Sequence, residues 1–78
     1  MEKKMSDKDI TKEQKLTIVA SRIRGVKVDK FNAELNLIEQ HALETPDASI
    51  VTSANKIIEN CAAQVVALEA QYTAIESE

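Results

Sequence analysis

Two series of apolar residues, each spaced by sevens, constrain the fold of this chain more than any other feature. One series is Val51, Ile58, Val65 and Tyr72, and the other is Ala54, Cys61, Leu68 and Ile75. Together they fill the a and d positions of successive heptads, the pattern of a helix that packs lengthwise against other helices. Thr45 and Pro46 are a capping residue and a first-turn proline, so the pattern predicts a long C-terminal helix over 46–77.

The composition favours helices over strands throughout the chain. The 78 residues include one Gly, one Pro and no Trp, and only 3% are aromatic. Sheet proteins need more glycine for their turns, and surfaces that bind single-stranded nucleic acid use aromatic side chains for base stacking. The predicted fold class is therefore all-α.

Two shorter helices are predicted before the long one. Thr11 and Gln14 form a capping box, and a stripe of Leu16, Val19, Ile23 and Val26 follows, which predicts a first helix over 12–24. A second stripe of Val28, Phe31, Leu35, Ile38 and Ala42 predicts a second helix over 30–44. Continuing the first stripe would bring Lys30 into the seam, so we expect a break in the helix between Gly25 and Asp29. Gly25 suits the residue that follows a helix end, and Asp29 suits the N-cap of the next helix.

The lengths of these helices predict assembly. If Gly25 folds the first two helices into a hairpin, they cover only about half of the third, which is roughly 45 Å long. The uncovered apolar strip predicts a homodimer or larger helical bundle. The alternative is that the first two helices lie nearly end to end and line the whole of the third. The predicted oligomer interface consists of Val51, Ile58, Cys61, Val65, Leu68, Tyr72 and Ile75.

The chain is expected to be one cytoplasmic domain. Residues 1–10 have no helical period and are predicted to be frayed or disordered, whereas 11–78 form the helical domain. The polar start is not a signal peptide, and no apolar run approaches the roughly 20 residues of a membrane helix. A single cysteine is typical of a reducing compartment.

Charge is distributed unevenly along the chain. Residues 1–30 carry nine basic and five acidic side chains, whereas 31–78 carry one basic and eight acidic side chains. One interpretation is that a basic first helix packs on acidic later helices; the other is a basic patch for nucleic acid or an acidic protein. The candidate partner-binding residues are Lys12, Lys15, Arg22, Arg24, Lys27 and Lys30.

The sequence contains no recognisable catalytic, metal or cofactor motif. Cys61 occupies a d position, where a thiol packs as a small hydrophobe, and His41 is predicted to lie at a surface or boundary. One glycine excludes Gly-rich phosphate loops. The chain is therefore predicted not to be an enzyme and to need no cofactor.

The predicted function is that of a non-catalytic adaptor, inhibitor or regulator that binds a macromolecular partner. Small size without enzyme motifs is typical of accessory proteins of bacteria and their phages. One alternative is a helix-turn-helix regulator with its turn at Gly25 and Val26, although Arg24 and Glu34 occupy positions that are usually apolar there. The other alternative is an oligomer that sequesters a small anionic, nucleotide-like ligand between subunits.

Overall fold

The chain folds as a long antiparallel pair of helices in a computed structural model that describes residues 10–78. Helix α1 spans Lys12–His41, helix α2 spans Ala48–Glu76, and residues 42–47 connect them. The start of α1 lies beside the end of α2, as shown by the distance of 3.4 Å between Lys15 Nζ and Glu78 Oε1. The all-α prediction is confirmed, and the described residues form a hairpin of two helices instead of the predicted unit of three.

The first helix begins at the residue that the sequence indicated. The backbone N–H of Gln14 donates to Thr11 Oγ1 at 3.1 Å, and the backbone N–H of Thr11 donates to Gln14 Oε1 at 2.8 Å. This reciprocal capping box satisfies two N–H groups that no helical carbonyl can reach. A frayed or disordered segment was predicted over 1–10. Residues 1–9 of that segment lie outside the described residues.

The predicted break between Gly25 and Asp29 is wrong, because α1 runs through both residues without interruption for 30 residues. Gly25 has no positive φ, so it is an ordinary helical residue and not a left-handed helix end. A glycine inside a helix costs about 1 kcal/mol relative to alanine. Contacts along a continuous helix packed on α2 outweigh so small a cost.

The two helices meet along one seam of a and d positions. In α1 this seam continues the first stripe in steps of three and four, and in α2 it is the pair of heptad series. The half-buried or buried seam residues of α1 are Leu16, Val19, Ile23, Val26, Lys30, Ala33, Leu37 and Gln40. Lys30 does lie in the seam, where its carbon chain packs and its Nζ reaches Glu34 Oε2 at 4.0 Å.

The second helix begins slightly later than predicted. Asp47, not Thr45, is its N-cap, and the Asp47 carboxylate accepts hydrogen bonds from the backbone N–H groups of Ser49 at 2.9 Å and Ile50 at 3.4 Å. The backbone N–H of Asp47 donates to Gln40 Oε1 at 2.8 Å, which ties the connection to α1. Helix α1 ends at His41, before the predicted end near residue 44.

The Asp47 cap makes stability depend on pH. Hydrogen bonds from the Ser49 hydroxyl and from the backbone N–H groups of Ser49 and Ile50 hold the pKa of Asp47 below its ordinary value of 3.8. A carboxyl with a lowered folded-state pKa stabilises the fold above its unfolded pKa, and this contribution disappears as the pH falls through the folded pKa.

We therefore expect the native chain to lose more stability than Asp47→Asn on acidification below about pH 4. Asparagine also caps helices but does not titrate, so the difference between the two chains isolates this one carboxyl from the other acidic groups. The measurement is urea unfolding of both proteins, followed by circular dichroism across this pH range. Parallel loss of stability in the two proteins would contradict the proposed role of the Asp47 carboxylate.

Candidate functional site

The most distinctive surface of the hairpin is a row of exposed apolar side chains on the C-terminal half of α1. We call Val28, Phe31, Leu35, Ile38 and Ala42 the outer stripe. Val28, Phe31 and Ile38 are 52%, 58% and 65% exposed, and Leu35 and Ala42 are also exposed. The periodic pattern predicted that this stripe is the packing face of a second helix, and the structure places it on the surface.

The outer stripe and the seam are two different faces of the same helix. Each residue turns the helix by about 100°, so Phe31 and Ile38 point about 100° away from Lys30 and Leu37, which face α2. The spacing of the outer stripe is again three, four, three and four. Helix α1 therefore carries two heptad-type apolar faces, and α2 covers only one of them.

The outer stripe extends towards α2 on one side of the hairpin. Lys27 Nζ lies 4.0 Å from Glu69 Oε2 on this side, and Phe31 is one helical turn beyond Lys27. On α2, Val66 lies one turn before Glu69 and is 67% exposed. The neighbouring Ala62, Ala63 and Ala70 are exposed and small, so another helix could approach α2 closely here.

The residues predicted as an oligomer interface line the seam within a single chain. Cys61 and Ile75 are buried, and Val51, Ile58, Val65, Leu68 and Tyr72 are half-buried. The prediction assumed that the first two helices would leave half of this stripe bare. Because α1 is continuous, it runs along the whole stripe, as in the end-to-end alternative, and that reason for assembly disappears. Assembly through these residues stays a prediction.

The basic residues predicted to bind a partner are distributed around α1 instead of forming one face. Lys15 and Lys27 pair across the seam with Glu78 and Glu69, and Lys12 Nζ donates to the Glu78 carbonyl at 3.3 Å. These contacts support the interpretation that a basic first helix packs on an acidic later one. Arg22 and Arg24 pair with no acid within residues 10–78, and both are exposed.

An open groove lies on the opposite side of the hairpin, near the middle of α1. The half-buried Val26 and Leu68 line it together with the small residues Gly25 and Ala67, and its polar lining residues are Arg22, Asp29 and Gln64. A Cβ at Gly25 would meet nothing within 4 Å. Because the helix passes straight through Gly25, the turn on which the helix-turn-helix alternative depends does not form.

The remaining reactive side chains occupy structural or surface positions. Cys61 is a buried free thiol in the seam, as its d position predicted, and His41 is the exposed last residue of α1. Within residues 10–78, no three His, Cys, Asp or Glu side chains cluster in a way that could hold a metal ion. Neither α1 nor α2 has the length of apolar sequence needed to span a membrane.

These features define a class of structure: an antiparallel α-helical hairpin with an uncovered second apolar face on one helix. Comparison of the chain with protein-family models, curated proteins and solved structures finds no match. The function is therefore inferred from the surface of this chain itself. That surface offers the outer stripe, the shallow groove at Gly25, and two arginines, Arg22 and Arg24, that pair with no acid among the described residues.

Proposed function

We propose that the chain is a non-catalytic protein-binding module, an adaptor, inhibitor or regulator, that packs the outer stripe against an α-helix of a protein partner. The observation that carries this proposal is the exposure of Val28, Phe31, Leu35 and Ile38 at heptad spacing on a continuous helix. A contiguous apolar patch on a soluble surface commonly marks an interaction site.

The spacing of the outer stripe supports a helical partner. Side chains in steps of three and four present knobs to the holes of a facing helix, and this row from position 28 to 42 is about 21 Å long. Full burial of a side chain such as Phe31 or Ile38 contributes about 1.5–3 kcal/mol. Several such side chains are enough to offset the entropy lost when two molecules associate.

The chemistry of the stripe supports binding without catalysis. Its five side chains are hydrocarbons, with no nucleophile or titratable group among them. Arg24 lies seven residues before Phe31, on the same line of the helix, and has no ion pair within residues 10–78. It would add a charged contact to an acidic partner at one end of the stripe. The buried free thiol of Cys61 suits a reducing compartment such as the cytoplasm.

Site-specific photo-cross-linking tests this function. Phe31→p-benzoylphenylalanine is irradiated in purified protein and in the cells that produce the chain. We expect covalent adducts with a protein, because a partner helix packed on the stripe would lie in contact with this position. The adducts should disappear when Ile38→Glu is introduced into the same chain, while circular dichroism shows that its helices are intact.

Thr17→p-benzoylphenylalanine is the matched control. Thr17 lies on the same line of α1, two heptads before Phe31, and is also exposed, but three of the four residues one turn away from it, Glu13, Gln14 and Ser21, are polar. It should form few adducts. Equal adducts at both positions, or adducts at Phe31 that survive Ile38→Glu, would contradict the proposed function, as would an absence of adducts at Phe31.

A further inference from the structure

We infer that the helix packed on the outer stripe is α1 of a second copy of this chain, in antiparallel orientation, with Leu35 beside the two-fold axis. The inference rests on the proposed function and names its partner. Two hairpins joined in this way form a four-helix bundle, with α1 of each copy at the centre.

The outer stripe is complementary to itself. A two-fold axis at Leu35 places Phe31 beside Ile38 of the second copy and Val28 beside its Ala42. The larger side chains Phe31, Leu35 and Ile38 then meet near the axis. At each end of the stripe, the smaller side chains of Ala42 and Val28 meet. Such an isologous contact satisfies the same patch on both copies, which is the usual form of a homodimer interface.

The charges at the two ends of the stripe favour the antiparallel orientation. Residues 24–30 contain Arg24, Lys27 and Lys30 against Asp29, whereas residues 39–47 contain three acids and no Lys or Arg. An antiparallel pair brings the basic end of each copy to the acidic end of the other. A parallel pair would bring like charges together at both ends, which costs free energy.

One pair of exposed charges fits this arrangement in particular. Arg24 and Glu44 are both exposed, and neither has an ion pair within residues 10–78. With Leu35 at the axis, Arg24 of one copy lies at the level of residue 46 in the second copy, in the connection that also carries Glu44. The unpaired charges of the single hairpin therefore become neighbours of opposite sign in the dimer.

The small core of the single hairpin also favours a second copy. Among the described residues only Ala33, Ala54, Cys61 and Ile75 are buried, and three of these side chains are small. Domains of this size bury a modest share of their surface and gain stability by oligomerisation. A second seam through Phe31, Leu35 and Ile38 would bury three more large side chains, which are exposed in the single hairpin.

The mass of the full chain in solution, measured by light scattering and sedimentation, tests whether it dimerises. We expect a dimer that Phe31→Glu dissociates, whereas Thr17→Glu, the same charge change two heptads earlier, leaves it intact. Because the two-fold axis places each substitution in the interface twice, the Kd should rise by at least about 100-fold. Phe31 is exposed in the single hairpin, so circular dichroism should show that Phe31→Glu keeps its helices.

Disulfide trapping tests the orientation. In a Cys61→Ala background, chains carrying Phe31→Cys are mixed with chains carrying Ile38→Cys and oxidised with oxidised glutathione. The antiparallel pair predicts mainly mixed disulfides between the two kinds of chain. Mainly like-with-like disulfides would overturn the antiparallel arrangement, since a parallel pair in register brings each position beside its own copy.

The outcomes separate this inference from the proposed function. A monomeric native chain overturns the inference, but if Phe31 still cross-links to a different protein in cells, the proposed function stands. A dimer that persists in Phe31→Glu also overturns the inference and directs attention to the residues of the seam. A monomer without cross-links at Phe31 contradicts both proposals.

Discussion

Replacing Ile75 with alanine is expected to lower the free energy of unfolding by about 2–4 kcal/mol, the usual cost of truncating a large side chain in a core. Ile75 is only 3% exposed and is the one large side chain among the buried residues described. Its removal leaves a cavity at the seam, near the end of α2. Urea unfolding followed by circular dichroism measures the loss.

The matched control is the same substitution at an exposed position. Ile18 is 48% exposed on α1, so Ile18→Ala should cost less than about 1 kcal/mol, partly offset by the higher helix propensity of alanine. Both unfolding curves are compared at one protein concentration, because an oligomer would make stability depend on concentration. Equal losses at the two positions would contradict the burial of Ile75 in the seam.

Replacing Gly25 with alanine is expected to raise the free energy of unfolding by about 1 kcal/mol, the difference between these residues in a helix interior. Gly25 lies in the continuous part of α1 without a positive φ, and the added Cβ would meet nothing within 4 Å. Alanine also has fewer conformations to lose from the unfolded chain. For a domain of this size the thermal midpoint should rise by about 4–8 °C.

The sign of the Gly25 result distinguishes a continuous helix from a broken one. If Gly25 ended a helix in the left-handed conformation, alanine would be strained there and the protein would become less stable. Ser21→Ala, one turn earlier on an exposed face, is the control for a general gain in helix propensity and should raise stability by less than Gly25→Ala. A loss of stability in Gly25→Ala alone would support the break predicted from the sequence.

The features that the sequence predicted correctly are local or strongly periodic. Thr11 and Gln14 lie three residues apart, so their reciprocal hydrogen bonds could be predicted without the rest of the fold. The a and d positions of α2 are apolar in every heptad, so no second frame competes with them. The pairing of basic α1 with acidic α2 was one of two interpretations of the charge pattern, and Lys27 and Glu69 now support it.

The features that the sequence predicted wrongly depend on a choice between two apolar faces. Helix α1 has one face with Val26, Lys30 and Ala33 and another with Phe31 and Leu35, and hydrophobicity alone favours the second. The structure packs the first face on α2, where the buried Ala33 and Cys61 line one groove. A lysine in a seam is acceptable because its carbon chain packs while its amine reaches the edge.

The candidate site was visible in the sequence as the stripe of the second predicted helix. Phe31, Leu35 and Ile38 formed a clear periodic stripe, and periodicity shows that residues share a face without showing what covers it. A helix with two apolar faces belongs in an assembly of more than two helices.

The hairpin connection has a consequence for the order in which the structure forms. The contact between Gln40 and Asp47 joins residues 7 apart in sequence, whereas that between Lys15 and Glu78 joins residues 63 apart. Closing the longer loop from the unfolded chain costs about 2 kcal/mol more in entropy, so pairing should start at the connection and proceed towards the open end. The outer stripe lies in the half nearest the connection. Its binding face would therefore be complete while the distant ends of the two helices are still separating and rejoining.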